Sequence, residues 1–105
     1  MKTEMQIPLY QPYKAKNQLA YVTDCVESNW ISSRGKYGRL FEDAFCKYTS
    51  IKYATTVANG TVALHLALHV LELPKNSKVI VPSFTYIASV NAIVISGMVP
   101  IFCDG

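Results

Sequence analysis

Leu19, Val22, Val26 and Trp30 recur at intervals of three and four, with Asp24 and Glu27 on the opposite side, which predicts an amphipathic helix over residues 14–29. Residues 31–38 carry two glycines and two serines with no period and predict a loop. A second helix is expected around Phe41, Ala44, Phe45 and Tyr48, spaced i, i+3, i+4 and i+7. After Ser50 the pattern changes. Residues 53–58 predict a short strand that stops at Asn59-Gly60, and a helix follows over 61–73, ended by Pro74 and Asn76. Residues 78–81 predict a second strand ending at Pro82, residues 85–96 a helix closed by Gly97, and residues 100–103 a third strand. Strands alternating with helices on connections of this length predict an α/β fold: a parallel sheet with right-handed crossovers and helices on both faces. Residues 1–50 form a separate amino-terminal helical segment in this reading, and the α/β part begins at residue 51.

The 105 residues are 50% apolar and 16% charged, which excludes a disordered, charge-rich tail. A formal charge of +3, spread over eight lysines and two arginines without a run, is too weak and scattered for a nucleic-acid-binding stripe. Cys25, Cys46 and Cys103 are odd in number and form no C-x-x-C pair, so neither a disulfide framework nor a zinc knuckle is suggested. The first eight residues meet proline before any apolar run of signal-peptide length, and a cytoplasmic location is expected. Residues 79–103 contain no formal charge over a length able to cross a bilayer. Pro82 and Pro100 near its ends, and Ser83, Thr85, Ser89, Asn91, Ser96 and Gly97 within it, favour a buried strand, helix and strand over a membrane span.

In parallel sheets ligands collect beyond the carboxyl ends of the strands, where helix amino termini point. Three candidate sites follow: Asn59-Gly60-Thr61, Ser83-Phe84-Thr85-Tyr86, and Asp104. At the first, backbone N–H groups, a glycine and a threonine hydroxyl suit a phosphate or carboxylate, although the same spacing also suits an ordinary Asn-Gly turn. At the second, hydroxyls and the Tyr86 ring could receive a flat cofactor, while Phe84 and Tyr86 could equally be packing residues. Nothing matches G-x-G-x-x-G or G-x-x-x-x-G-K-[ST], which argues against an unrelated nucleotide-binding protein. His65, His69 and Glu72, at i, i+4 and i+7, nominally resemble a metal face, but a helix this apolar needs a polar stripe, and they are expected to be that stripe. Arg34, following Trp30 in a glycine-flanked loop, either offers a guanidinium to an anionic ligand or is a solvated surface arginine.

Four segments in order resemble the pyridoxal-phosphate-dependent sugar aminotransferases of fold type I, and within them the branch of the GDP-perosamine synthases. They are Ile7-Pro8-Leu9-Tyr10-Gln11-Pro12, Trp30-Ile31-Ser32-Ser33-Arg34-Gly35, the run from Ala54 through Asn59-Gly60-Thr61 to Leu68, and the run from Val79 through Pro82-Ser83-Phe84-Thr85-Tyr86 to Ser89. The resemblance implies that residues 51–105 start a cofactor-binding large domain, in which Gly60 and Thr61 hold the phosphate of pyridoxal 5'-phosphate and Asn59 and Ser83 also contact the cofactor. Tyr86 would stack on the pyridine ring, and Arg34 and Trp30 would contact substrate. It further implies GDP-4-keto-6-deoxymannose and glutamate as substrates, a product used in lipopolysaccharide O-antigen, and a homodimer; nucleic acid and membrane partners are not expected.

None of the eight lysines stands in the family's Ser-x-His-x-x-Lys setting, so no residue here is assigned as the Schiff-base lysine, and no catalytic residue is named. The chain is therefore expected to be an amino-terminal fragment of such an enzyme. The alternative is a catalytically inactive remnant or association module of the same family.

Overall fold

The computed structural model describes Ile7 and residues 10–104. Residues 1–6 of the stretch read for a signal sequence, and Pro8 and Leu9 of the first family-like segment, lie outside the described residues. The chain divides into two compact units, Met1–Ala54 and Thr55–Gly105.

In the first unit α1 spans Gln18–Glu27 and α2 spans Lys36–Thr49. The first helix begins later than the apolar spacing predicts because the chain enters it through a turn, with the Gln18 N–H donating to the Ala15 carbonyl at 3.1 Å. It ends at Ser28, whose hydroxyl donates back to the Asp24 carbonyl at 2.6 Å, and Asn29 then takes a left-handed conformation. The second helix takes in the last three residues of the expected loop. Gly35 is its extended N-cap, and Lys36, Tyr37 and Gly38 join the first turn. Phe41 and Phe45, one turn apart, bring their ring centroids to 6.1 Å.

In the second unit α3 spans Gly60–His69, β1 Lys78–Pro82, α4 Ile87–Ile95 and β2 Val99–Cys103. The two strands are parallel, in register from Lys78 opposite Val99 to Pro82 opposite Cys103, and α4 is the crossover between them. The α/β reading therefore holds, and the charge-free stretch is a strand, a helix and a strand. Among the described residues no helix is long and apolar enough to cross a membrane.

The strand expected over residues 53–58 is not formed. A ladder needs a neighbouring strand, and among the described residues β1 and β2 pair only with each other. The helix expected to reach residue 73 stops at His69: Glu72 is left-handed, and Pro74 disfavours helical geometry at Leu73. At the end of α4, by contrast, Gly97 has φ +73°, and the Gly97 and Met98 N–H groups donate to the carbonyls of Val94 and Ile93 at 2.9 and 3.1 Å. This is a Schellman closure, and its usual apolar contact is present because Ile93 and Met98 are both buried in the core. Val81 from β1 completes that core, with Leu68, Val79 and Val90 packed against it.

Candidate functional site

The candidate residues of the second unit gather at one edge of its sheet. Helices α3 and α4 pack against each other. Their carboxyl ends share a cleft of about 430 Å³ lined by Leu68, His69 and Val70 on one side and Ser96 and Met98 on the other. Since the two helices are 10 and 9 residues long and both end at that shared cleft, their amino termini lie toward the opposite end. That end is the carboxyl edge of the parallel strands, because α4 leaves β1 there. The cleft lies at the other edge, away from the candidate residues.

At the start of α3 the Asn59 side chain accepts a hydrogen bond from the Val62 N–H at 3.0 Å, and the Ala63 N–H donates to the Asn59 carbonyl at 3.1 Å. Asn59 is thus the helix cap, with extended backbone. The cap uses the Val62 donor and leaves the N–H groups of Gly60 and Thr61 as the first-turn donors that have no place in the helix ladder. A Cβ built on Gly60 meets no atom within 4 Å, so the approach to these donors is open. Donors at a helix start, open in front and flanked by the Thr61 hydroxyl, suit a phosphate.

Beyond β1 the Ser83 N–H donates to the Cys103 carbonyl at 2.8 Å, and the Ser83 hydroxyl donates to the Asp104 carboxylate at 3.1 Å. Sequence reasoning placed these two residues at the same edge but did not foresee their hydrogen bond. The bond changes what Ser83 offers: its one proton is directed at Asp104, and its oxygen remains an acceptor. The strand ends therefore present acceptors and negative charge, whereas the α3 start presents donors. A ligand with an anionic end and a hydrogen-bond-donating end fits this polarity.

Tyr86 is the extended N-cap of α4, and its ring is 89% exposed; Phe84 is fully exposed. Neither is a packing residue in this unit, which leaves the Tyr86 ring free to receive a flat group. Among the described residues no hydrogen bond or ring contact joins the Tyr86 side chain to Asn59, Gly60 or Thr61.

Trp30 and Arg34 belong to the first unit, in the loop between α1 and α2. Both are exposed. The Gly35 N–H donates to the Ser32 carbonyl at 3.0 Å, and a Cβ on Gly35 would lie 3.0 Å from the Trp30 carbonyl oxygen and 3.3 Å from that of Ser32. The loop is folded tightly enough that a side chain there would crowd both carbonyls. Across its base the Lys36 ammonium pairs with the Asp24 carboxylate at 2.7 Å. The Lys36 hydrogen bond holds the Asp24 carboxyl below the usual carboxylate range, and the Tyr37 hydroxyl adds a second hydrogen bond. The sequence signal for this pair, two opposite charges flanking a short loop, was present but was not singled out.

His65, His69 and Glu72 do not share one helical face. Glu72 lies beyond α3 in a left-handed turn, which removes it from the helical spacing, and among the described residues no group of three metal-ligating side chains forms. The His65 and His69 rings meet edge to face at 6.4 Å. His69 is exposed, while His65 is half-buried, so the expected polar stripe is only partly solvent-facing.

The sequence profile of the DegT/DnrJ/EryC1/StrS aminotransferase family matches residues 12–105. The chain belongs to this family. Among curated DegT/DnrJ/EryC1/StrS relatives, the GDP-perosamine synthase of Vibrio cholerae is 51% identical over 98 residues, covering 93% of this chain and 27% of the relative. The GDP-perosamine synthase of Escherichia coli O157:H7 is 53% identical over the same shares. The solved structure of Spr1654 from Streptococcus pneumoniae in its PLP form superposes with a TM-score of 0.83 at 32% identity, covering 95% of this chain and 25% of that one. The chain thus spans about a quarter of the length of the relatives it matches.

Proposed function

We propose that this chain is the amino-terminal part of a pyridoxal-phosphate-dependent aminotransferase that acts on a nucleotide-linked 4-keto-6-deoxy sugar, in the manner of a GDP-perosamine synthase. The observation that carries this reading is the identity of 51% and 53% to two GDP-perosamine synthases across 93% of the chain. The donor-rich start of α3 and the exposed ring that caps α4 support it.

In this reading residues 51–105 open the cofactor-binding large domain. Gly60 and Thr61 hold the cofactor phosphate through their N–H groups and the Thr61 hydroxyl, and Asn59 keeps the helix start in shape by capping Val62. Tyr86 covers one face of the pyridine ring. Ser83, tied to Asp104, accepts a hydrogen bond from the bound group. When bound, pyridoxal phosphate supplies the electron sink for amino transfer, and the chain's own part is to anchor and orient it. Arg34 and Trp30 contact the sugar nucleotide. The intact protein works in the cytoplasm as a homodimer, with glutamate as amino donor and GDP-4-keto-6-deoxymannose as acceptor.

The test is product analysis on the intact protein loaded with pyridoxal phosphate and given GDP-4-keto-6-deoxymannose and glutamate. A GDP-sugar with an amino group at C4, and 2-oxoglutarate in equal amount, is expected. Absence of an amino sugar from this acceptor, with amino transfer to a deoxythymidine- or uridine-linked keto sugar instead, would overturn the GDP assignment. A full reading frame without Ser-x-His-x-x-Lys would overturn the enzyme reading itself.

A further inference from the structure

Four charges in the first unit stand at the wrong ends of their helices: Asp24 and Glu27 at the end of α1, and Lys36 and Arg39 at the start of α2. Asp24 lies in the last turn of α1, where the helix dipole disfavours an anion, and Lys36 lies in the first turn of α2, where it disfavours a cation. Neither end carries a compensating residue of the favourable sign: α1 has no basic residue in its last turn and α2 no acidic one in its first. Asp24 and Lys36 relieve each other through the 2.7 Å ion pair that closes the base of the intervening loop. The Tyr21 and Tyr37 rings meet at 5.0 Å beside it, and the Lys36 ammonium also lies 5.3 Å from the centre of the Tyr37 ring. The Asp24–Lys36 pair thus ties the end of α1 to the start of α2 across the loop between them.

The loop so closed is the one that carries Trp30 and Arg34. Inside it, the Gly35 N–H is bonded to Ser32 and the Gly35 α-carbon lies against the Trp30 carbonyl, so the two ends of the Trp30-to-Gly35 run are in contact. Among the described residues no carboxylate pairs with Arg34, which is exposed.

We propose that Asp24 and Lys36 are positioning residues: their ion pair fixes the loop so that the Arg34 guanidinium and the Trp30 indole are presented together as one anion-recognising element. This deepens, and rests on, the reading of Arg34 and Trp30 as contacts for the anionic sugar nucleotide.

Trp30 is the only tryptophan of the chain, so its fluorescence reports on this loop alone. The experiment uses the 105-residue chain, with iodide as the anionic quencher, caesium as the cationic one and acrylamide as the neutral one. In the parent, iodide is expected to quench Trp30 more strongly than caesium, and Arg34→Gln to remove that excess with acrylamide quenching unchanged. The neutralised pair, Asp24→Asn with Lys36→Gln, keeps the net charge of +3. It is expected to remove the iodide excess and to raise acrylamide quenching by up to about 1.8-fold, the ratio of full exposure to the 56% Trp30 now has.

The exchanged pair, Asp24→Lys with Lys36→Asp, also keeps the net charge and is expected to restore both parental values. Parental quenching in the neutralised pair would overturn the proposal. So would an exchanged pair that keeps its helix content by circular dichroism but not the parental quenching; if the neutralised pair loses helix content, the exchanged pair alone decides. No substrate or coenzyme enters the measurement, so its failure is distinct from a failure of the aminotransferase reading, which product analysis judges.

Discussion

Gly35 shows how one side chain's absence shapes a candidate binding loop. Its backbone is extended rather than left-handed, so alanine would suffer no torsional strain, and the narrower unfolded ensemble would favour alanine by about 0.4–1 kcal/mol. Against this stand two carbonyl oxygens at 3.0 and 3.3 Å from the new methyl group, both backbone atoms with little room to retreat. Overpacking of that kind costs about 1–3 kcal/mol, and it wins. Gly35→Ala is expected to destabilise the first unit by about 1 kcal/mol, read as a lower midpoint in urea; a midpoint at or above the parent's would show that the loop yields. At the cofactor edge, the exposed ring predicts that Tyr86→Ala weakens pyridoxal phosphate retention in the intact protein by about 1 kcal/mol. Dialysis followed by absorbance of the bound cofactor measures this, and unchanged retention removes Tyr86 from the site.

Among the helices, α3 depends on its cap more than the others do, since Asn59 alone supplies a side-chain hydrogen bond at a helix start among the described residues. Asn59→Ala is expected to cost about 1 kcal/mol and Asn59→Gly only a few tenths, a ranking that thermal denaturation can check. The contact between α1 and α2 has a pH signature. Lys36 lowers the Asp24 pKa through its hydrogen bond, so the folded value lies below the unfolded one, and this stabilisation is complete above about pH 4 and fades as pH falls through the folded value. The Lys36 pKa is raised, first by the hydrogen bond to Asp24, so its share is complete below about pH 10 and fades as pH climbs through the raised value. Tyr37, raised first by burial and then by its bond to Asp24, fades on the same alkaline side. With Cys25 the only other ionisable group felt by Lys36 and Tyr37, Trp30 fluorescence is expected to be flat across the neutral range and to change at both extremes. A transition near pH 7 would contradict this assignment.

Over the whole chain, half the residues are apolar, yet the buried core consists of Val81, Ala92, Ile93 and Met98 among the described residues. So small a core makes each member costly to lose: Ile93→Ala is expected to destabilise the second unit by about 2–4 kcal/mol, with the loss visible as a lower cooperative melting temperature. Most of the second unit was readable beforehand, because β1, α4 and β2 are set by near neighbours: apolar runs, Pro82, and a glycine placed where Schellman closure needs it. The strand predicted over residues 53–58 was not readable in the same way, since a strand exists only beside another, and pairing is a property of the sheet rather than of those six residues. The candidate edge was legible to the extent that glycine, threonine and asparagine announce a helix start. The hydrogen bond of Ser83 to Asp104, 21 positions apart, depends on how segments meet, and no local pattern encodes that.

The β1 and β2 ladder is fastened beyond both of its ends. At one end the Asn76 N–H reaches the Gly97 carbonyl and the Val99 N–H the Ser77 carbonyl, each at 2.9 Å; at the other, Ser83 holds both Cys103 and Asp104. Sliding one strand by a single residue would break all of these links and turn Val81 from the interior to water. The height of the Ser83 and Asp104 rim above the sheet is therefore indexed to the turn at Gly97, so that a lengthened or shortened turn at the far side would be felt as a misplaced rim, five rungs away.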